Sequence, residues 1–143
     1  MDKILVNNWN SVVKNNDRVF MLGDFCLAGK NKIIEIGNKL NGRKTLIMGN
    51  HERNSLKVYY DAGFVMIYKH PILLENTFLL SHSPIKDTKY INIHGHIHEK
   101  SIKDLDYFNG DLKLYYNVSC DVINFTPISL NKIKKDLNLY TLS

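Results

Sequence analysis

Apolar residues occur along the chain in two patterns, helical stripes and short runs. Spacings of three and four residues predict helices at residues 1–14, 32–40, 55–62 and 129–139. The first of these helices carries one stripe of apolar side chains, which consists of Met1, Ile4, Leu5, Trp9, Val12 and Val13. Glycine follows the second and third helices, which is a common way for a helix to end.

Seven short apolar runs separate these helices and predict strands. The runs cover residues 19–22, 43–48, 64–68, 72–75, 77–81, 89–93 and 112–119. In the sixth run, Ile91 and Ile93 alternate with polar neighbours, which is typical of a strand buried on one face only. Strands alternate with helices early in the chain and follow one another later. The fold class is therefore expected to be α/β, with sheets sandwiched between helices.

Polar residues that can bind a metal follow four of the predicted strands. In chain order these groups are Asp24, Asn50-His51-Glu52, His82 and His96-Ile97-His98. Glycine separates two of the groups from the strands before them, at Gly23 and Gly49. Ligands of α/β folds bind just beyond the carboxyl ends of the strands. We therefore expect these side chains to meet at one edge of the sheets and form a metal site.

The segment 94–98 contains three of the six histidines of the chain. Gly95 permits a turn of the backbone, and His96 and His98 lie two residues apart, on the same side of an extended segment. Two neutral imidazoles on one side form half of a site for a divalent ion. A solvated polar loop is the alternative interpretation. By contrast, His70 precedes Pro71 and is expected in a surface turn.

Length and composition favour a soluble, single-domain protein that spans residues 1–143. The 44% of hydrophobic and 23% of charged residues are ordinary for such a protein. No apolar run approaches the ~20 residues of a membrane span, so no membrane partner is expected. Cys26 and Cys120 stand far apart without a C-x-x-C spacing, and the first residues lack a secretory signal pattern. These features favour a reducing, cytoplasmic location.

The formal charge of +5 and the pI of about 9.1 suit an anionic substrate or a nucleic acid. The lysines are spread along the chain and form no basic block. The charge is therefore weak support for nucleic-acid binding and agrees equally with an ordinary solvated surface.

In their order, the polar groups resemble the motifs of the calcineurin-like metallophosphoesterase family, in particular its small bacterial and phage members. The family motifs are Gly-Asp, then Gly-Asn-His-Asp/Glu, then a lone histidine, then Gly-His-x-His. Here they read Gly23-Asp24, Gly49-Asn50-His51-Glu52, His82 and Gly95-His96-Ile97-His98. The resemblance covers nearly the whole chain and implies the family's α-β-β-α sandwich.

The resemblance also implies a set of metal ligands. By this likeness Asp24 bridges two divalent ions. Asn50, His82 and His96 complete the coordination of one ion, and His98 binds the other.

Further roles follow from the same likeness. His51 is similar to the family histidine that binds no metal and protonates the leaving oxygen. Glu52 and Arg53 are candidates for residues that orient the site or touch the substrate. His94 is a third such candidate, with a purely structural role equally open.

The family's first motif, a strand that ends in Asp-x-His, does not occur in this sequence. Asp2 lies on a predicted helix and cannot replace it. We therefore expect the first strand and part of the second metal's coordination to be missing, so that one ion rather than two is held tightly. A fragment, a late start and a natural degenerate form would all give this pattern.

The resemblance implies a hydrolase of phosphomonoesters or phosphodiesters that uses a metal-activated water. Mn²⁺ is the expected ion, with Fe, Zn, Ni and Co as alternatives, and the expected substrate is a small phosphoester or nucleotide-type molecule. A degenerate metal-binding or scaffold protein is one alternative, which the retained His51 disfavours. A nuclease is another, although 143 residues leave no room for the accessory domain of such nucleases.

Overall fold

The structure, a computed structural model, describes residues 2–23, 30–48, 56–86, 88–95, 114–119 and 126–139. Its helices are α1 (Asp2–Val12), α2 (Lys30–Lys39), α3 (Leu56–Asp61) and α4 (Leu130–Asp136). Its strands are β1 (Arg18–Met21), β2 (Arg43–Ile47), β3 (Phe64–Tyr68), β4 (Ile72–Leu74), β5 (Phe78–Ser81), β6 (Ile91–His94) and β7 (Tyr115–Asn117). The four helices and seven strands expected from the sequence each have a described counterpart, and the α/β class is confirmed.

The first sheet has the order β1-β2-β3, and all of its strands are parallel. Neighbouring residues of β2 serve different layers because successive side chains of a strand point to opposite faces. Leu46 packs with residues of α1, α2 and α3 in a cluster that we call the outer core. Ile47 packs with residues of the second sheet and α4 in the central core. The first sheet therefore lies between a layer of helices and the second sheet.

The second sheet has the order β4-β5-β6-β7. β4 and β5 form an antiparallel hairpin, whose turn places Glu75 and Asn76 at positive φ. β5, β6 and β7 are mutually parallel, so their carboxyl ends lie at one edge. α4 begins after Ser129, whose Oγ accepts a hydrogen bond from the Lys132 amide at 3.0 Å, and α4 contributes Ile133 to the central core.

Two expectations about burial are wrong. Ile4 and Val12, assigned to the inner stripe of the first helix, are 55% and 51% exposed. The contact face of α1 consists instead of Leu5, Val6 and Trp9, followed by Val13 just beyond the helix. Val12 is exposed because it borders an open cavity beside β1.

The strand β6 is also buried differently from expectation. Asn92 and His94, expected on a solvated face, are 0% and 1% exposed. β6 is an interior strand between β5 and β7, and both of its faces are covered. The Asn92 amide donates to the Leu79 carbonyl and to the Ser81 hydroxyl, each at 2.9 Å, while its oxygen accepts from the Ile85 amide at 2.7 Å. These bonds satisfy a polar side chain that would otherwise be costly to bury.

Candidate metal site

His82 lies just past the carboxyl end of β5 and joins the two sheets. Its Nδ1 is 2.8 Å from the carbonyl oxygen of Leu22, which follows β1 in the first sheet. Because a carbonyl oxygen can only accept, Nδ1 must carry the proton in this contact. The proton on Nδ1 makes Nε2 the nitrogen with the lone pair. A histidine that binds a metal usually has this arrangement, with its other ring nitrogen donating to a carbonyl or carboxylate.

Gly95 brings the end of β6 to the same place. Its amide donates to the His82 carbonyl at 2.9 Å. A Cβ placed on Gly95 would lie 3.6 Å from both the His82 and the Leu22 carbonyl oxygens and 3.9 Å from the Ser119 hydroxyl. Gly95 therefore lies close to the ends of strands from both sheets, and His96 is the next residue along the chain.

Ser119 is a residue of this region that the sequence interpretation did not single out. It follows β7, is buried, and donates from both its amide and its hydroxyl to the Asn117 side-chain oxygen at 2.9 and 2.7 Å. The signal was available, because a polar residue at the end of a predicted strand is the same pattern that singled out His82.

His94 lies inside the second sheet, one residue before Gly95. Its ring packs edge-on against Tyr115, with the ring centroids 6.2 Å apart, and its Nδ1 donates to the Gly95 carbonyl at 3.1 Å. Burial lowers the pKa of His94 below its ordinary value, and the bond to Gly95 acts in the opposite direction. The buried ring of His94 is thus bonded to the backbone of Gly95, the last described residue before His96.

Most of the predicted site residues lie outside the described parts of the chain. These are Asp24, Asn50, His51, Glu52, Arg53, His96 and His98. The described residues next to them are Gly23, Met48 and Gly95, which follow β1, β2 and β6. Within the described ranges, no group of three or more His, Cys, Asp or Glu side chains is placed to hold a metal ion. The metal-ligand set therefore stays a prediction, while the strand ends beside Leu22, His82 and Gly95 meet at one edge.

Comparison with known proteins identifies the family. The model of the calcineurin-like phosphoesterase family matches residues 3–118 of this chain. The chain is 37% identical to the uncharacterized protein MJ1445 of Methanocaldococcus jannaschii over 147 residues, which cover 94% of this chain and 74% of the relative. This protein belongs to the calcineurin-like phosphoesterase family.

Two solved structures are similar to this one. The protein of unknown function AQ665 from Aquifex aeolicus aligns with a TM-score of 0.66 and 27% identity over 94% of this chain and 83% of its own. The nuclease MPE of Pseudomonas putida aligns with a TM-score of 0.44 and 26% identity over 57% of this chain and 44% of its own, which is too low to establish a common fold. In the described parts of this chain, every helix is too short or too polar to span a bilayer.

Proposed function

We propose that this protein is a metal-dependent hydrolase of phosphomonoesters or phosphodiesters. Membership of the calcineurin-like phosphoesterase family supports the class of reaction. The observation that carries the proposal is the orientation of His82. Its buried ring is held through Nδ1 by a backbone carbonyl, at the edge where the sheets meet. The hydrogen bond to the Leu22 carbonyl suits a ring whose Nε2 binds a metal. A purely structural histidine would not need to lie among the strand ends that lead to the other predicted ligands.

The proposed ligands are those of the family motifs. Asp24, Asn50, His82 and His96 would hold one divalent ion, and Asp24 and His98 would contact a second. An ion in such a site supplies a Lewis acid that activates water and neutralises charge on the phosphoester oxygens. A mixed set of carboxylate, amide and imidazole ligands accommodates Mn²⁺, which is the ion to test first, and Fe, Zn, Ni and Co are the competitors.

The remaining motif residues act on the substrate. His51 would donate a proton to the oxygen of the leaving group, which makes departure of an alkoxide easier. Glu52 and Arg53, its neighbours in sequence, would orient His51 or contact the phosphate. His94 would act from beneath the site by holding the backbone of Gly95.

The decisive experiment compares two histidine variants. Protein stripped of metal is reloaded with Mn²⁺, the ions per chain are counted by mass spectrometry, and hydrolysis of p-nitrophenyl phosphate and of its bis ester is measured. We expect His82→Ala to lose bound metal. Its activity should fall by at least ~10–100-fold, which is the loss typical when a residue that only supports a metal ligand is mutated.

His70→Ala is the matched control, because His70 is exposed in the turn between β3 and β4. It should keep both the metal and the rate. Retention of metal and rate by His82→Ala would show that His82 is structural and would remove the main support for this function.

A further inference from the structure

Two arginines lie side by side at the amino end of the first sheet. Arg18 is the first residue of β1 and Arg43 is the first residue of β2, and the register of these parallel strands makes the two residues partners. Neighbouring strands lie about 4.8 Å apart, so the backbone holds the two side chains close together. Both residues are exposed.

The two arginines share one face of the sheet. Three positions further along the same register, Met21 and Leu46 both pack in the outer core. Because side chains alternate between the faces of a strand, the arginine pair points to the other face. The guanidinium of Arg18 agrees with this direction, since it lies 5.2 Å from the centre of the Phe20 ring, which packs against the central core. The contact with this ring restrains the Arg18 side chain.

Acceptor groups close to the pair in sequence already have other donors. The carboxylate of Asp17 accepts a hydrogen bond from the Lys14 amide at 2.8 Å. Just beyond α2, the carbonyl of Leu40 accepts from the Nζ of Lys44 at 2.7 Å. These groups satisfy the backbone on the side of the helices and are not needed by the arginines.

The second sheet offers one acidic residue that borders the same cavity as Arg18, which is Glu75. Its carboxylate is already paired with the Nζ of Lys134 at 3.2 Å. Among the described residues, none of the ion pairs involves Arg18 or Arg43. Two like charges at neighbouring positions of a sheet repel each other, and an anion bound between them would remove this cost.

We propose that Arg18 and Arg43 together bind a dianionic phosphate group, either free inorganic phosphate or the end of a phosphomonoester. Each guanidinium presents a planar fork of donors that matches the oxygens of a phosphate. A terminal phosphate carries about −1.5 to −2 charges at pH 7, which balances two arginines. The internal diesters of a nucleic acid carry one charge each and suit the pair less well.

This phosphate site is separate from the candidate metal site. Arg18 precedes Leu22 by four residues, which is about 13 Å along an extended strand, and the Leu22 carbonyl is the group that binds His82. A phosphate held by the two arginines is therefore not the one whose ester bond is cleaved. The site goes beyond the proposed function and would hold a product or an effector.

The test measures phosphate binding in protein that has been stripped of metal and freed of the chelator. Inorganic phosphate is titrated at constant ionic strength, with sodium chloride as the reference salt, and the Nε–Hε signals of the arginines are followed in ¹H–¹⁵N spectra. We expect the signals of Arg18 and Arg43 to shift and saturate with phosphate but not with chloride. The double variant with Arg18→Gln and Arg43→Gln should bind phosphate at least about tenfold more weakly, measured from its backbone amide shifts.

Two controls separate a phosphate site from general attraction to a basic protein. The double variant with Lys3→Gln and Lys69→Gln also removes two exposed positive charges and should bind phosphate as the wild type does. Arg43→Gln alone leaves the contact of Arg18 with Phe20 intact and should still weaken binding several-fold. Its amide spectrum shows directly that the variant is folded.

A comparison of ligands tests the chemical class. Methyl phosphate should bind about as well as inorganic phosphate if the ligand is a monoester, and more weakly if it is the free ion, and both results support a dianion site. Dimethyl phosphate, which carries a single charge, should bind more weakly than either.

Four results would overturn the proposal. They are arginine signals that do not respond to phosphate, equal loss of binding in the lysine double variant, equal binding of dimethyl phosphate, and tighter binding of a thymidine oligonucleotide without terminal phosphates. The last result would assign the pair to a nucleic-acid backbone instead. All of these readouts are made without metal and without hydrolysis, so they are independent of the test of the proposed function.

Discussion

The imidazole of His82 and the carbonyl of Leu22, 60 residues apart in sequence, are joined by a 2.8 Å hydrogen bond between the two sheets. The bond fixes the ring of a histidine that is 6% exposed and sits at the end of a parallel strand. It also determines which ring nitrogen can act as a ligand. The position of the proton on His82 is therefore set by the fold before any ion binds.

The first prediction is that His82 carries its proton on Nδ1 even in metal-free protein, because the Leu22 carbonyl accepts it there. Two-bond ¹H–¹⁵N correlation spectra of ¹⁵N-labelled protein distinguish the two tautomers. Treatment with a chelator should leave the pattern unchanged. A ring protonated on Nε2 instead would contradict the orientation on which the metal proposal depends.

The second prediction concerns His51 and rests on the proposed function. His51→Ala should lower turnover ~10²–10⁴-fold while the metal content stays the same, since its proposed role is proton donation. The loss should be largest with a poor leaving group and smaller with p-nitrophenyl phosphate, whose leaving group needs little protonation. Loss of bound metal from this variant would make His51 a ligand.

The third prediction concerns stability at the base of the site. Asn92→Leu leaves the partly buried amide of Ile85 and the Leu79 carbonyl without their side-chain partner. We expect it to lower the free energy of unfolding by about 2–4 kcal/mol in denaturant titrations. Asn7→Leu, on the exposed side of α1, should change it by no more than ~0.5 kcal/mol. Equal effects of the two variants would mean that the Asn92 bonds contribute little.

The fourth prediction follows the titration of Tyr116. Burial and the 2.6 Å hydrogen bond to Asp136 raise the pKa of Tyr116 to about 12. The unfolded value is about 10, so the folded state keeps this proton more strongly. The resulting stabilisation is complete below pH 10 and is lost as the pH rises toward 12.

Two measurements check the fourth prediction. Subtraction of the Tyr116→Phe titration from that of the wild type, followed by phenolate absorbance, should show one step near pH 12. The loss of stability in Tyr116→Phe should also be larger at pH 9 than at pH 11. A difference step near pH 10 would mean that the bond to Asp136 does not persist in solution.

Local pattern was sufficient for most of the secondary structure. The helices at 30–39 and 130–136 and the strands at 43–47 and 64–68 begin and end within three residues of expectation, because spacing and terminal glycines are properties of the adjacent residues. The order of candidate metal ligands after the predicted strands could also be read from the sequence, and it indicated the family that the comparison then established.

Pairing and burial were decided only by the tertiary structure. The alternation around Ile91 and Ile93 suggested a strand with one solvated face, yet its neighbours β5 and β7 and its hydrogen bonds bury Asn92 and His94. Likewise, the spacing of Val12 suggested a core position, yet Val12 is 51% exposed and borders a cavity beside β1.

The sequence by itself determined which residues have the chemistry for the site, because ligand capacity belongs to each side chain. It could not determine that the carbonyl of Leu22 would orient His82, or that Ser119 would lie against Gly95. Those contacts join strands of different sheets and depend on how the two sheets pack. A backbone carbonyl is present at every residue, so only the fold selects the one that binds a particular ring.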